Sequence, residues 1–118
     1  MILDNIKKTM EIILSKGVKK RVILHAPEAG FCLNQNGCFC IVPSLKLPQG
    51  FIKGAVGAGD AFCAGCLYAI YHGYDDHAML EFASGAAACN LTAEDSVSGM
   101  KDKKYIHDLI KIHERICL

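Results

Sequence analysis

One short segment of the sequence combines three small residues with a carboxylate: Gly57, Ala58, Gly59 and Asp60. Small residues let backbone N–H groups converge, and the apolar, helix-like run that follows adds unpaired N–H groups and the positive end of a helix dipole. We expect an anion hole here that stabilises the charge on a transferring phosphoryl group, with Asp60 as the base that accepts a proton from an attacking hydroxyl. The alternative for an isolated segment of this kind is a structural turn in which Asp60 only caps the helix.

Two other phosphate-binding loops fit this segment less well. The sequence has no Gly-x-x-x-x-Gly-Lys-[Ser/Thr] run, and bulky Phe62 stands where a dinucleotide-binding fingerprint has its third glycine. Both loops are therefore rejected.

The first half of the chain predicts one helix followed by strands. Apolar residues recur at helical spacing over 3–14, and Gly17 is suited to a C-terminal cap. The branched, apolar run 22–26 before Pro27 is typical of a buried strand in a parallel sheet. Segments 30–33 and 38–42 flank an Asn-Gly pair, which predicts an antiparallel hairpin.

Three further helices are predicted in the second half. One begins directly after Asp60 and covers 61–71, and a second covers about 76–92 with a wide face of small residues that should pack very closely. The last is amphipathic, and its apolar side includes Ile106, Leu109 and Ile116. These helices must hold the glycine turn in place, and the composition indicates no domain boundary.

Composition and cysteine content exclude several classes of function. The 118 residues include 13 Lys plus Arg and 12 Asp plus Glu, so the net charge of +1 favours neither nucleic acid nor a membrane surface. No apolar run is long enough to span a bilayer and the N-terminus does not resemble a secretory signal, so we expect a cytoplasmic protein. The seven cysteines, including the Cys38-x-Cys40 and Cys63-x-x-Cys66 pairs, are expected to pack as reduced thiols, without a structural disulfide or a zinc site.

The segment from Gly57 to Gly65 resembles the C-terminal signature of the PfkB or ribokinase family of sugar kinases. The resemblance extends over nearly all of the chain. It implies an α/β fold: the C-terminal portion of a ribokinase-like three-layer α/β/α sandwich, with a β-hairpin and flanking helices, over residues 1–118. It also implies ATP and Mg²⁺, a sugar or nucleoside acceptor, an anion hole at Gly57, Ala58 and Gly59, and Asp60 as catalytic base.

The resemblance also suggests nucleotide-binding residues outside the glycine turn. The chain keeps the final glycine of a turn that relatives use near the nucleotide, so Gly30 is expected to bind nucleotide, and Ser84 is expected in the adenine pocket. His25 either faces the nucleotide or is a strand-end histidine with a backbone partner. No metal-ligating residue is predicted, because residues 54–56 lack the Asp-Thr pair associated with a monovalent-cation site in relatives.

The chain is much shorter than members of this family. Their N-terminal portion supplies sugar-binding residues and a lid, which have no counterpart here. We therefore expect the chain alone to be inactive, and either to join the missing N-terminal half or to self-associate. The alternative is a non-catalytic nucleotide-binding or structural remnant of a sugar kinase.

Overall fold

The computed structural model describes residues 3–47, 57–91 and 103–116. Its elements, in chain order, are α1 (Leu3–Ser15), β1 (Arg21–His25), β2 (Ala29–Asn34), β3 (Phe39–Pro43), α2 (Ala58–Tyr71), α3 (Asp76–Leu91) and α4 (Lys103–Ile112). The predicted helices and strands occur in this order, but the prediction that α2 begins after Asp60 is wrong, because Gly57 is its N-cap and Asp60 lies in its first turn. Residues 54–56, whose departure from the family pattern bears on a cation site, lie outside the described residues.

The three described strands form an antiparallel sheet in the order β1-β2-β3. The predicted hairpin between β2 and β3 is confirmed: Gly37 has a φ of 83°, and Asn34 Oδ1 accepts hydrogen bonds from the N–H groups of Asn36 and Cys38. The expectation of a parallel neighbour for β1 is wrong for these strands. Ala26 and Ala29 exchange backbone hydrogen bonds of 2.9 and 3.2 Å, and this tight turn returns the chain antiparallel to β1.

Successive side chains of each strand point to opposite faces of the sheet, and each face packs into a core. Buried Ala29, Phe31 and Leu33 of β2 pack with Met10 of α1. Cys32, which points to the opposite face, packs with the helices that follow. The result is a three-layer arrangement with α1 on one face and α2 and α3 on the other.

Helices α2 and α3 pack with almost no space between their backbones. A Cβ at Gly65 would lie 2.9 Å from the Cα of Ala83 and 3.2 Å from the Cβ of Ala86. Any larger residue at Gly65 would push the helices apart. The close packing predicted for the small residues of α3 is therefore confirmed.

The end of the described chain returns to the sheet. Helix α4 ends at Ile112, so the prediction that Ile116 lies on its apolar side is wrong. Leu45 forms an antiparallel bridge with Arg115, Ile116 N donates to Ser44 O at 2.8 Å, and Lys46 N donates to Glu114 O. Long-range backbone pairing thus determines where Ile116 lies.

The six described cysteines are free thiols. Cys66 is buried as expected, but Cys38 and Cys63 are exposed, because one follows the hairpin turn and the other lies on the outer side of α2. Among the helices of the described segments, none combines the length and apolar character needed to cross a membrane.

Candidate functional site

The residues of the predicted anion hole lie at the N-terminus of α2. Gly57 is the N-cap and has a φ of 84°, a left-handed conformation that favours glycine. The first intrahelical hydrogen bond runs from Ala61 N to Gly57 O at 2.9 Å. The N–H groups of Ala58, Gly59 and Asp60 therefore precede the helical ladder and have no partner within the helix. Together with the helix dipole, they provide donors for an anion.

Asp60 lies in the first turn of α2 and is exposed. It is not the N-cap, since Gly57 occupies that position, so the interpretation of Asp60 as a simple helix cap is wrong. An exposed carboxylate beside a set of free amides can approach a hydroxyl of a bound molecule. A general base must lie within hydrogen-bond reach of the proton that it accepts, so the catalytic role of Asp60 stays a prediction.

A cavity of about 610 Å³ adjoins this helix terminus. It is lined by His25, Ala26, Pro27, Ser44, Leu45, Lys46, Leu47, Ala58, Ser84, Ala87, Ala88 and Ile116. Ala58 belongs both to this lining and to the first turn of α2, so the cavity reaches the helix N-terminus. The volume and the mostly apolar lining suit a small organic ligand with few polar contacts.

His25 lies at the end of β1 and contributes to the cavity wall. Its ring stacks on that of Phe62, with centroids 4.2 Å apart and an angle of 11° between the planes. Burial of part of the imidazole lowers the pKa of His25. At pH 7 the ring is therefore mainly neutral, and its contact with a nucleotide stays a prediction.

Gly30 has a packing role that the sequence analysis did not anticipate. It is buried, and a Cβ there would lie 2.7 Å from Cζ of Phe62 and 3.4 Å from Cδ2 of Leu80. Gly30 thus lets α2 approach the sheet, with the ring of Phe62 pressed onto β2. Since Gly30 is not in the described cavity lining, its contact with nucleotide stays a prediction.

Ser84 is buried and lines the cavity, and its place in an adenine pocket stays a prediction. Its hydroxyl donates to Glu81 O at 2.7 Å and accepts a hydrogen bond from Nη1 of Arg115 at 2.8 Å. The proton of Ser84 is therefore already engaged within the protein. A ligand would meet at most its remaining lone pair.

Sequence reasoning missed the part of the wall formed by residues 44–47 and by the end of the chain. Arg115 connects these parts, because its Nη1 also donates to Pro43 O at 2.6 Å. Burial lowers the pKa of the Arg115 guanidinium, although Glu81 opposes the change. No local motif marks these residues, since their proximity depends on pairing between segments about 70 positions apart.

The described residues contain no group of three or more His, Cys, Asp or Glu side chains that could hold a metal ion. The cavity lining includes the exposed cation Lys46 and Ala58 at the start of α2, and exposed Asp60 follows two residues after Ala58, outside the lining. The arrangement can bind an anionic group at the helix terminus and an uncharged, largely apolar group in the adjoining cavity.

Comparison with known proteins connects this geometry to one family. A family model described as pfkB family carbohydrate kinase matches residues 2–103. Among curated proteins, no significant match was found.

Solved structures with the same fold are ribokinases and other sugar kinases. Ribokinase from Arabidopsis thaliana, complexed with ribose and ATP, matches with a TM-score of 0.81 and 23% identity over 92% of this chain and 34% of its own. An E. coli protein described as a ribokinase II, in complex with ATP and Mg²⁺, matches with a TM-score of 0.80 and 23% identity over 91% of this chain and 33% of its own. Ribokinase from Thermotoga maritima matches with a TM-score of 0.77 and 23% identity over 90% of this chain and 34% of its own. The chain thus has the ribokinase fold and spans about a third of the length of these structures.

Proposed function

This chain belongs to the pfkB family of carbohydrate kinases, and from that premise we propose that it is the nucleotide-binding part of an ATP-dependent sugar or nucleoside kinase. The observation that carries the proposal is the position of Ala58, which lies at the N-terminus of α2 and in the wall of the apolar cavity. A nucleoside triphosphate has the matching parts, an anionic chain joined to a planar base. The phosphates would bind the amides and the nucleoside would occupy the cavity.

In this proposal, the amides of Gly57, Ala58 and Gly59 stabilise the charge on the transferred phosphoryl group. Asp60 accepts the proton of the acceptor hydroxyl. The oxygen of that hydroxyl bonds to the γ-phosphorus of ATP, and the bond between this phosphorus and the ADP oxygen breaks. Mg²⁺ bound with the nucleotide supplies neutralising charge. Since the described residues offer no three-ligand cage, nucleotide phosphates would be its main ligands.

The acceptor site is proposed to lie on polypeptide outside this chain. The outer side of α2 supports this, because Leu67 is 63% and Tyr71 86% exposed. Large apolar side chains on one helix face favour burial against another polypeptide. We propose that the missing kinase portion covers this face, and that the chain self-associates through it when that portion is absent.

The family match does not favour the alternative of a non-catalytic remnant. A cytoplasmic location stays a prediction from the sequence.

Calorimetry of Mg·ATP binding to the 118-residue chain tests the nucleotide site. Gly57→Val should abolish binding, because it strains a backbone with a φ of 84° and places a branched side chain at the anion hole. Gly37→Val is a matched control, since Gly37 has a φ of 83° but lies in the hairpin turn. Loss of binding in both variants, or in neither, would contradict the proposed site.

The role of Asp60 requires the polypeptide that carries the rest of the kinase. There, Asp60→Asn should lower kcat by about 10²-fold or more, because it removes the base but leaves the amides in place. The Kd for ATP should change little. Near-normal turnover would remove Asp60 as the base.

A further inference from the structure

The segment 113–116 reaches the cavity through Ile116. Ile116 contributes its lining, and backbone hydrogen bonds hold this segment beside residues 44–46. The wall therefore depends on a segment distant in sequence from both the anion hole and α3.

Arg115 connects three sides of this wall. Its Nη1 donates to Pro43 O at the end of β3 and to the hydroxyl of Ser84 on α3, while its own backbone pairs with Leu45. Ser84 and Leu45 both line the cavity. One guanidinium thus bridges α3 and the end of β3.

Stability alone explains this arginine poorly. Its Nη2 is buried and has no hydrogen-bond partner among the described residues, which costs free energy. An apolar side chain of similar volume is often as stabilising as a buried charged group, or more so. The Arg115 guanidinium can hold Ser84 and Pro43 at a fixed distance through hydrogen bonds, which an apolar residue could not do.

We propose that Arg115 is a positioning residue for the nucleoside end of the nucleotide: it fixes the Ser84 hydroxyl and holds Leu45 and Ile116 at the spacing that the bound nucleoside requires. This inference rests on the proposed function. Arg115 makes its described side-chain hydrogen bonds to Pro43 and Ser84, and none to residues 57–60. Its contribution should therefore concern the nucleoside and not the phosphates.

The test compares two probes on the 118-residue chain by calorimetry: Mg·ATP, which has both parts, and Mg·tripolyphosphate, which lacks the nucleoside. Arg115→Ala should weaken ATP binding about tenfold or more, because binding would then have to order the cavity walls that the guanidinium holds in place. Tripolyphosphate binding should change less than about twofold, because the amides are untouched. Arg115→Lys, which keeps a charged donor, should recover part of the loss.

Arg21→Ala is the matched control. Arg21 is also partly buried, but its Nε pairs with Asp76 at 3.2 Å, and it does not line the cavity. Its loss should leave the ratio of the two affinities unchanged. Should Arg115→Ala fail to fold by circular dichroism, Arg115→Lys and Ser84→Ala carry the same comparison, with ATP affinity again lowered selectively.

Three results would overturn the inference. If the folded Arg115 variants bind ATP with unchanged affinity, the inference about Arg115 is refuted. The proposed nucleotide site is not affected by that result. An equal loss of both ligands assigns Arg115 a general structural role. No ATP binding by the wild-type chain overturns the proposed function and this inference with it.

Discussion

Alanine at Gly65 should destabilise the chain, whereas alanine at Gly59 on the same helix should stabilise it. Both glycines lie in α2, where alanine improves helix propensity by up to about 1 kcal/mol. Their surroundings differ. At Gly65 the new Cβ would lie 2.9 Å from the backbone of α3, while at Gly59 it meets nothing within 4 Å.

The net effect follows from these distances. Overpacking against a backbone atom costs roughly 1–3 kcal/mol, which exceeds the propensity gain. We expect Gly65→Ala to lower the free energy of unfolding by about 1 kcal/mol and Gly59→Ala to raise it by up to about 1 kcal/mol. The two variants should therefore differ by about 2 kcal/mol.

Urea unfolding followed by circular dichroism measures this difference. With an m-value of roughly 1–2 kcal/mol/M, the midpoints of the two variants should lie about 1–2 M apart. Equal midpoints, or a more stable Gly65→Ala variant, would show that α2 and α3 do not meet as closely as the 2.9 Å contact requires.

Two further predictions concern titratable groups. The lowered pKa of His25 means that folding favours the neutral ring, so stability is fullest above pH 6.5 and falls as the pH falls through the lowered value. The melting temperature of His25→Phe, which keeps a ring on Phe62, should fall less between pH 8 and pH 5 than that of the wild-type chain. An equal fall in both would contradict a lowered pKa at His25. Burial and neighbouring Cys63 raise the pKa of Cys66 to about 12, so iodoacetamide at pH 8.5 should label exposed Cys63 and spare Cys66. Peptide mass spectrometry measures this, and equal labelling would show that Cys66 is accessible.

Local pattern was sufficient to predict the helices, the β2–β3 hairpin and the small-residue start of α2. Gly37 and Gly57 show why, because each has a positive φ that a short-range sequence signal can indicate. The β1–β2 turn and the return of Arg115 to Ser84 could not be predicted in this way. They depend on contacts between residues whose own neighbours in sequence give no sign of a distant partner.

The contact between Gly65 and Ala83 also has a consequence for ligand selection. It joins α2, which begins at the proposed anion hole, to the helix that carries Ser84, with little room for sliding. In the proposed mode of nucleotide binding, the two helices would therefore keep a fixed distance between the phosphate end and the nucleoside end. A ligand with a shorter or longer anionic chain would fill one end and miss the other, so molecular length would be selected independently of the identity of the base.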